Sequence, residues 1–86
     1  MYYIYLLKHT KTKQIYIGLT NNLKRRIKEH NSNQQKATVR IDGKWKVIYV
    51  EIYRNKEDAH RREQRFKQHG RAKQELLKRI EKSLEI

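Results

Sequence analysis

Cysteine and proline are absent from this chain, glycine occurs three times, and tryptophan, phenylalanine and methionine once each. Without cysteine there is no disulfide framework and no thiolate metal site. His9, His60 and His69 have no partners at the spacing of zinc ligands, so they are assigned no role. No apolar run approaches the ~18 residues of a membrane-spanning helix. The helical segments carry charge around most of their surface, which argues against a membrane-surface anchor. Nothing at the start of the chain reads as a signal peptide, and a reducing, cytoplasmic setting is expected.

Negative charge is the other scarcity. Nine Asp and Glu face 22 Lys and Arg, for a formal net charge of +13 over 86 residues. Such an excess calls for a polyanionic partner, with DNA the first expectation and RNA the second. The basic residues divide evenly about residue 51, whereas the acidic ones concentrate after it, so the first half is the more positive. A chain of this length makes one domain, 1–86, with a thin core. Only 36% of its residues are apolar, but they gather in periodic runs rather than scattering as in a disordered chain.

Residues 2–8 alternate Tyr2, Ile4 and Leu6 with Tyr3, Tyr5 and Leu7. Both faces are apolar, as in a central strand covered on two sides. A second strand, Ile15 to Leu19, follows a short polar gap, which predicts an antiparallel hairpin, with Gly18 ending the strand. Thr20, Asn21 and Asn22 offer caps for a helix reaching about His30, on which Leu23, Arg26, Ile27 and His30 form one stripe. Residues 31–44 read as a polar loop, with a short strand near Val39 and a turn at Asp42-Gly43.

Trp45 to Tyr53 is the third strand, with Ile48, Val50 and Ile52 on one face and Trp45, Val47, Tyr49 and Tyr53 on the other. Asn55 and Asp58 cap a second helix that reaches His69 and stops at Gly70 in a left-handed end. Its inward stripe combines Ala59 and Phe66 with a carboxylate, Glu63. A third helix from about Ala72 carries Leu76, Leu77, Ile80 and Leu84 and is expected to cover the remaining face of the sheet. The predicted class is α/β (α+β), a small three-stranded antiparallel sheet flanked by three helices in the order β-β-α-β-α-α.

Tyr3-Ile4-Tyr5, then Tyr16-Ile17-Gly18 eleven residues after Tyr5, Arg26 and His30 in "LKRRIKEH", and Glu63 in "HRREQRFK" together resemble the GIY-YIG nuclease superfamily. The likeness spans residues 2 to about 80 and is strongest toward small stand-alone members related to the nuclease domain of the bacterial excision-repair incision subunit. Tyr3 stands where the family usually has glycine, and no asparagine follows Asn55, where some members contribute one to the site.

The resemblance implies a Mg²⁺- (or Mn²⁺-) dependent DNA endonuclease leaving 3′-hydroxyl and 5′-phosphate ends. Glu63 would hold the metal, Arg26 the phosphate, and Tyr5, Tyr16 and His30 the attacking water and its proton. Either Tyr16 or His30 could be the general base. Each residue also has an ordinary reading: strand tyrosines pack, helix arginines are solvated, His30 suits a helix C-terminus, and Glu63 can pair with Lys67 at i, i+4.

Lys24, Arg25, Arg61, Arg62, Arg65, Arg71 and Lys73 form the expected phosphate-tracking surface. With no dedicated sequence-reading element, nicking should be structure-selective or weakly specific, in DNA repair or recombination, and directed by a protein partner or by dimerisation. The rival reading is a non-catalytic basic nucleic-acid-binding module. A basic structural protein of a ribonucleoprotein particle is a third.

Overall fold

A computed structural model describes residues 1–32, 43–68 and 70–86 of the chain. The elements are β1 (Tyr2–His9), β2 (Ile15–Thr20), α1 (Leu23–Asn31), β3 (Trp45–Tyr53), α2 (Lys56–Lys67) and α3 (Arg71–Arg79). The strands form one antiparallel sheet in the order β2-β1-β3, so the strand apolar on both faces is the central one, as expected. The expected short strand near Val39, the Asp42 half of the turn, and His69 lie outside the described residues.

Two apolar layers sandwich the sheet. Ile4, Leu6 and Ile17 pack against Ala59 and Phe66 of α2 and Leu76 and Ile80 near α3. On the other face Tyr5, Leu7 and Trp45 pack with Tyr16, Leu23, Ile27 and Val50. The third helix therefore shares the layer of the second, and α1 covers the remaining face, which corrects the expectation for α3. Amphipathicity identifies a buried stripe but not the sheet face that it meets.

A bulge also corrects the faces assigned to β3. Leu6 pairs with Tyr49 whereas Leu7 pairs with Val47, leaving Ile48 as the extra residue. One inserted residue inverts side-chain parity. Trp45 and Val47 consequently lie on the α1 side, while Tyr49, Glu51 and Tyr53 lie on the α2 side. Ile48 and Val50, expected together, join different layers.

Local chemistry sets the helix ends. Asn22 caps α1, its Oδ1 accepting the Arg25 N–H at 3.1 Å. Thr20 Oγ1 in turn accepts the Asn22 N–H. Asn55 Oδ1 accepts the N–H groups of Glu57 and Asp58 at the start of α2. Gly70 is not a left-handed helix end: its φ of −172° is extended, and it is the N-cap of α3, while α2 is closed by Gln68. Gly43, at φ +104°, does need glycine, and a Cβ there would also strike Thr10, Lys11 and His9. The buried His9 organises the hairpin turn, its Nδ1 accepting the N–H groups of Lys11 and Thr12.

Candidate active site

Gly18 lies inside β2 rather than ending it, opposite Tyr5 in the hairpin register. The Tyr5 ring crosses directly over it, so that a Cβ on residue 18 would sit 2.3 Å from the Tyr5 Cζ and hydroxyl oxygen. Only glycine leaves that lane open. The same register sets Tyr16 opposite Leu7, on the Tyr5 face. The two phenol rings are 6.1 Å apart between centroids.

His30 reaches the pair from the last turn of α1. Its Nε2 is 3.2 Å from the Tyr5 hydroxyl, and its ring meets that of Tyr16 edge-on at 4.6 Å. The end of α1 is tied to β3 by Asn31, whose Oδ1 accepts the Trp45 N–H at 2.8 Å while its Nδ2 donates to the Trp45 carbonyl at 3.1 Å. Trp45 closes the cluster, 6.2 Å from both Tyr16 and His30. Neither Asn31 nor Trp45 was among the sequence candidates: the clamp joins residues 14 apart, and no local pattern announces it.

The electrostatics differentiate these groups. Burial drives the Tyr5 phenol well above the ordinary tyrosine range, with Tyr16 and Glu63 adding to the rise and Arg26 opposing it. Tyr5 is therefore a hydrogen-bond donor throughout the neutral range. His30 moves the other way: burial and then Arg26 hold it below the ordinary histidine range, against a smaller pull from Glu29. A neutral imidazole accepting at Nε2 from the Tyr5 O–H satisfies both shifts, with the tautomer assigned from this hydrogen bond.

Arg26 lies on the same helix as His30, one turn earlier. Its Nε is buried and, among the described residues, finds no hydrogen-bond acceptor; the Glu29 carboxylate stands off at 3.8 Å. Glu63 belongs to α2, the helix of the opposite layer, and its charge acts on the Tyr5 hydroxyl. The candidates thus arrive from both faces of the sheet. Glu63 is largely buried, with Oε2 3.2 Å from Lys67 Nζ and Oε1 3.8 Å from His60 Nδ1.

A cleft of about 790 Å³ opens beside these residues, lined by Tyr16, Lys67, Gln68, Arg71, Lys73 and neighbouring apolar groups. Of the five candidates only Tyr16 lines it; Tyr5 and His30 are 1% and 2% exposed.

The seven basic residues expected to track phosphates separate into two kinds. Lys24, Arg25, Arg65 and Arg71 are exposed, Lys73 is half-buried on the cleft wall, and Arg61 is exposed beside Asp58 at 3.5 Å. Arg62 is committed to the fold. It forks onto Glu51 at 2.9 and 3.0 Å and lies over the Phe66 ring, while the hydroxyls of Tyr49 and Tyr53 donate to the same carboxylate at 2.6 and 2.7 Å. Its sequence neighbours gave no sign of this, because the bulge is what turns Glu51 toward α2. Tyr3, the departure from the family tripeptide, lines a surface cleft with Leu23 and Ile27 of α1.

Comparison with known proteins gives the family of the chain. The GIY-YIG catalytic domain family matches residues 1–76. The UPF0213 protein CPE1444 of Clostridium perfringens is 43% identical over 63 residues, 73% of this chain and 67% of that protein. The UPF0213 protein OB0043 of Oceanobacillus iheyensis is 36% identical over 80 residues, 93% and 90% of the two chains. The solution NMR structure of the UPF0213 protein BH0048 from Bacillus halodurans is similar at a TM-score of 0.54 and 33% identity, covering 90% of this chain and 82% of that one. The chain belongs to the GIY-YIG family, a superfamily of nucleases.

Proposed function

We propose that this protein is a Mg²⁺- or Mn²⁺-dependent DNA endonuclease, structure-selective or weakly sequence-specific, serving repair or recombination. The observation that carries the reading is the meeting of Tyr5, Tyr16 and His30 in one ring cluster, with Arg26 one turn before His30 on the same helix. Packing of the Tyr5 ring accounts for the glycine at position 18, but not for a buried arginine Nε left, among the described residues, without a hydrogen-bond acceptor beside the cluster.

Accessibility supports a division of labour. Tyr16, on the cleft wall, contacts the attacking water and takes or directs its proton. Tyr5 and His30, both buried, position the Tyr16 ring and its hydroxyl and carry the proton no further than their shared hydrogen bond. Arg26 donates to the non-bridging oxygens of the scissile phosphate as their charge grows.

Glu63 suits a cation because its carboxylate is a largely buried anionic oxygen donor, and the Lys67 ammonium that faces it at 3.2 Å is exposed enough to give way. Among the described residues no cluster of three or more His, Asp or Glu offers a fuller cage. A hard divalent ion can bind through one carboxylate and keep its waters. When bound it supplies Lewis-acid stabilisation of the phosphate and the leaving oxygen. Lys24, Arg25, Arg61, Arg65, Arg71 and Lys73 would carry the remaining phosphates, with dimerisation or a protein partner selecting the site of cleavage.

The test is cleavage of labelled duplex, branched and single-stranded DNA with Mg²⁺, Mn²⁺ or chelator. Tyr16→Phe, Arg26→Ala and Glu63→Gln should each lower the rate by about 10²–10³ while leaving the fold intact. Undiminished rates in all three would overturn the mechanism. DNA binding without cleavage under every condition would favour the basic binding module instead.

A further inference from the structure

The first residue to consider beyond the candidate set is Lys67, the last of α2. Its ammonium is 3.2 Å from Glu63 Oε2, the carboxylate to which a divalent ion is assigned above. It also lines the cleft beside Tyr16, with Arg71 and Lys73. The carboxylate is 14% exposed while the lysine side chain is 53% exposed, so one partner is enclosed by the fold and the other stands half in solvent. A flexible four-carbon stem with a point charge is suited to exchanging partners, which a planar guanidinium fork is not.

A lysine and a divalent cation cannot both sit at contact distance from one carboxylate without strong mutual repulsion. Binding the ion must therefore expel the ammonium, and the cleft that Lys67 lines is where a nucleic-acid backbone would pass. We propose that Lys67 is an exchangeable counterion. It neutralises Glu63 in the empty enzyme and moves to a backbone phosphate when a metal takes the carboxylate, so that metal and nucleic acid favour each other's binding.

The coupling is reciprocal: a phosphate that draws Lys67 away frees Glu63 for the ion, by the same factor with which the ion frees Lys67 for the phosphate. Consequently the enzyme without substrate binds the ion weakly and the complex binds it well. This inference rests on the assignment of Glu63 to the metal, and the experiment separates the two.

Mn²⁺ binding to the free protein is measured by calorimetry for the parent, Lys67→Met, Lys67→Arg and Glu63→Gln. Lys67 ends its helix and is half exposed, and thermal melting verifies that each variant folds. Lys67→Met should bind Mn²⁺ about fivefold more tightly, the upper range for an exposed ion pair, and Lys67→Arg should stay near the parent. Affinity for a labelled oligonucleotide is then compared with and without Ca²⁺, its integrity verified on a gel. The gain on adding the ion should shrink about threefold in Lys67→Met.

If Glu63→Gln binds Mn²⁺ like the parent, the metal assignment itself is overturned. If Glu63→Gln loses the ion but Lys67→Met binds it no better than the parent, the assignment stands and the exchange is overturned. An unchanged ion-dependent gain in oligonucleotide affinity likewise overturns the exchange.

Discussion

The Tyr5 ring rests on Gly18 so closely that a methyl group there would come 2.3 Å from its hydroxyl oxygen. The glycine of the second tripeptide thus exists for the tyrosine of the first, across one rung of the hairpin. Gly18→Ala should displace the phenol, lower the melting temperature by on the order of 10 °C and reduce cleavage about a hundredfold. Combining it with Tyr5→Leu should recover most of the stability and none of the activity. Full activity in Gly18→Ala would contradict this relationship.

His30 makes stability depend on pH near neutrality. The folded state holds its pKa below the ordinary value, so below about 6.5 the unfolded chain binds a proton that the native protein refuses. Its contribution is therefore complete above that pH and is lost as the pH falls through it toward the folded value. Melting temperatures between pH 7.5 and 5 should decline less in His30→Gln than in the parent. Titration of the His30 ring by NMR should give a midpoint under the ordinary range; one above it would reverse the assignment of Nε2 as acceptor.

Glu51 governs a lower window. Burial alone would raise its carboxyl, but the hydrogen bonds from Arg62, Tyr49 and Tyr53 outweigh that and hold it below the usual carboxylate range. In return, burial and the bond to Glu51 push Tyr49 up to about 12. The network's support is complete above about pH 4.3 and disappears as the pH falls through the depressed value. Replacing Tyr49 and Tyr53 together by phenylalanine should move the acid-unfolding midpoint to higher pH, as followed by circular dichroism.

The two kinds of arginine on α2 should separate experimentally. Arg62→Ala leaves the Glu51 carboxylate without its fork and uncovers Phe66, and should destabilise the domain by about 2 kcal/mol in urea titrations. Arg65→Ala should be nearly neutral in stability. In DNA-binding isotherms Arg65→Ala, Arg71→Ala and Lys73→Ala should each reduce the magnitude of the log K against log salt slope by about 0.9. An unchanged slope for all three would remove them from the interface.

Element order was legible because it is written locally: alternation marks the strands, and Asn22 and Asn55 mark the helix starts. The five candidate residues were legible as a spaced set, although nothing in their spacing told that Tyr5 and His30 are buried and Tyr16 accessible. What stayed hidden was whatever depends on pairing between elements. The extra residue at Ile48, the Asn31 clamp on Trp45 and the capture of Arg62 by Glu51 each arise from register, which a single segment does not contain. Gly70 misled for a related reason: a glycine between two helices suits the end of one or the start of the next, and only the backbone angle decides.

Ile48 gives β3 two separate allegiances. Ahead of it the strand is in phase with α1 and contributes Trp45 to the ring cluster; beyond it the strand is shifted by half a pleat and serves α2 through Glu51. Deleting Ile48 alone would leave both allegiances in place, because Val47 and Tyr49 would then be consecutive and face Leu7 and Leu6 on successive rungs, with Glu51 and Tyr53 still turned toward α2. The bulge is thus slack taken up by one residue: its loss would cost the α2 layer the Ile48 side chain while the helix bearing Glu63 stayed moored through Arg62 and Glu51.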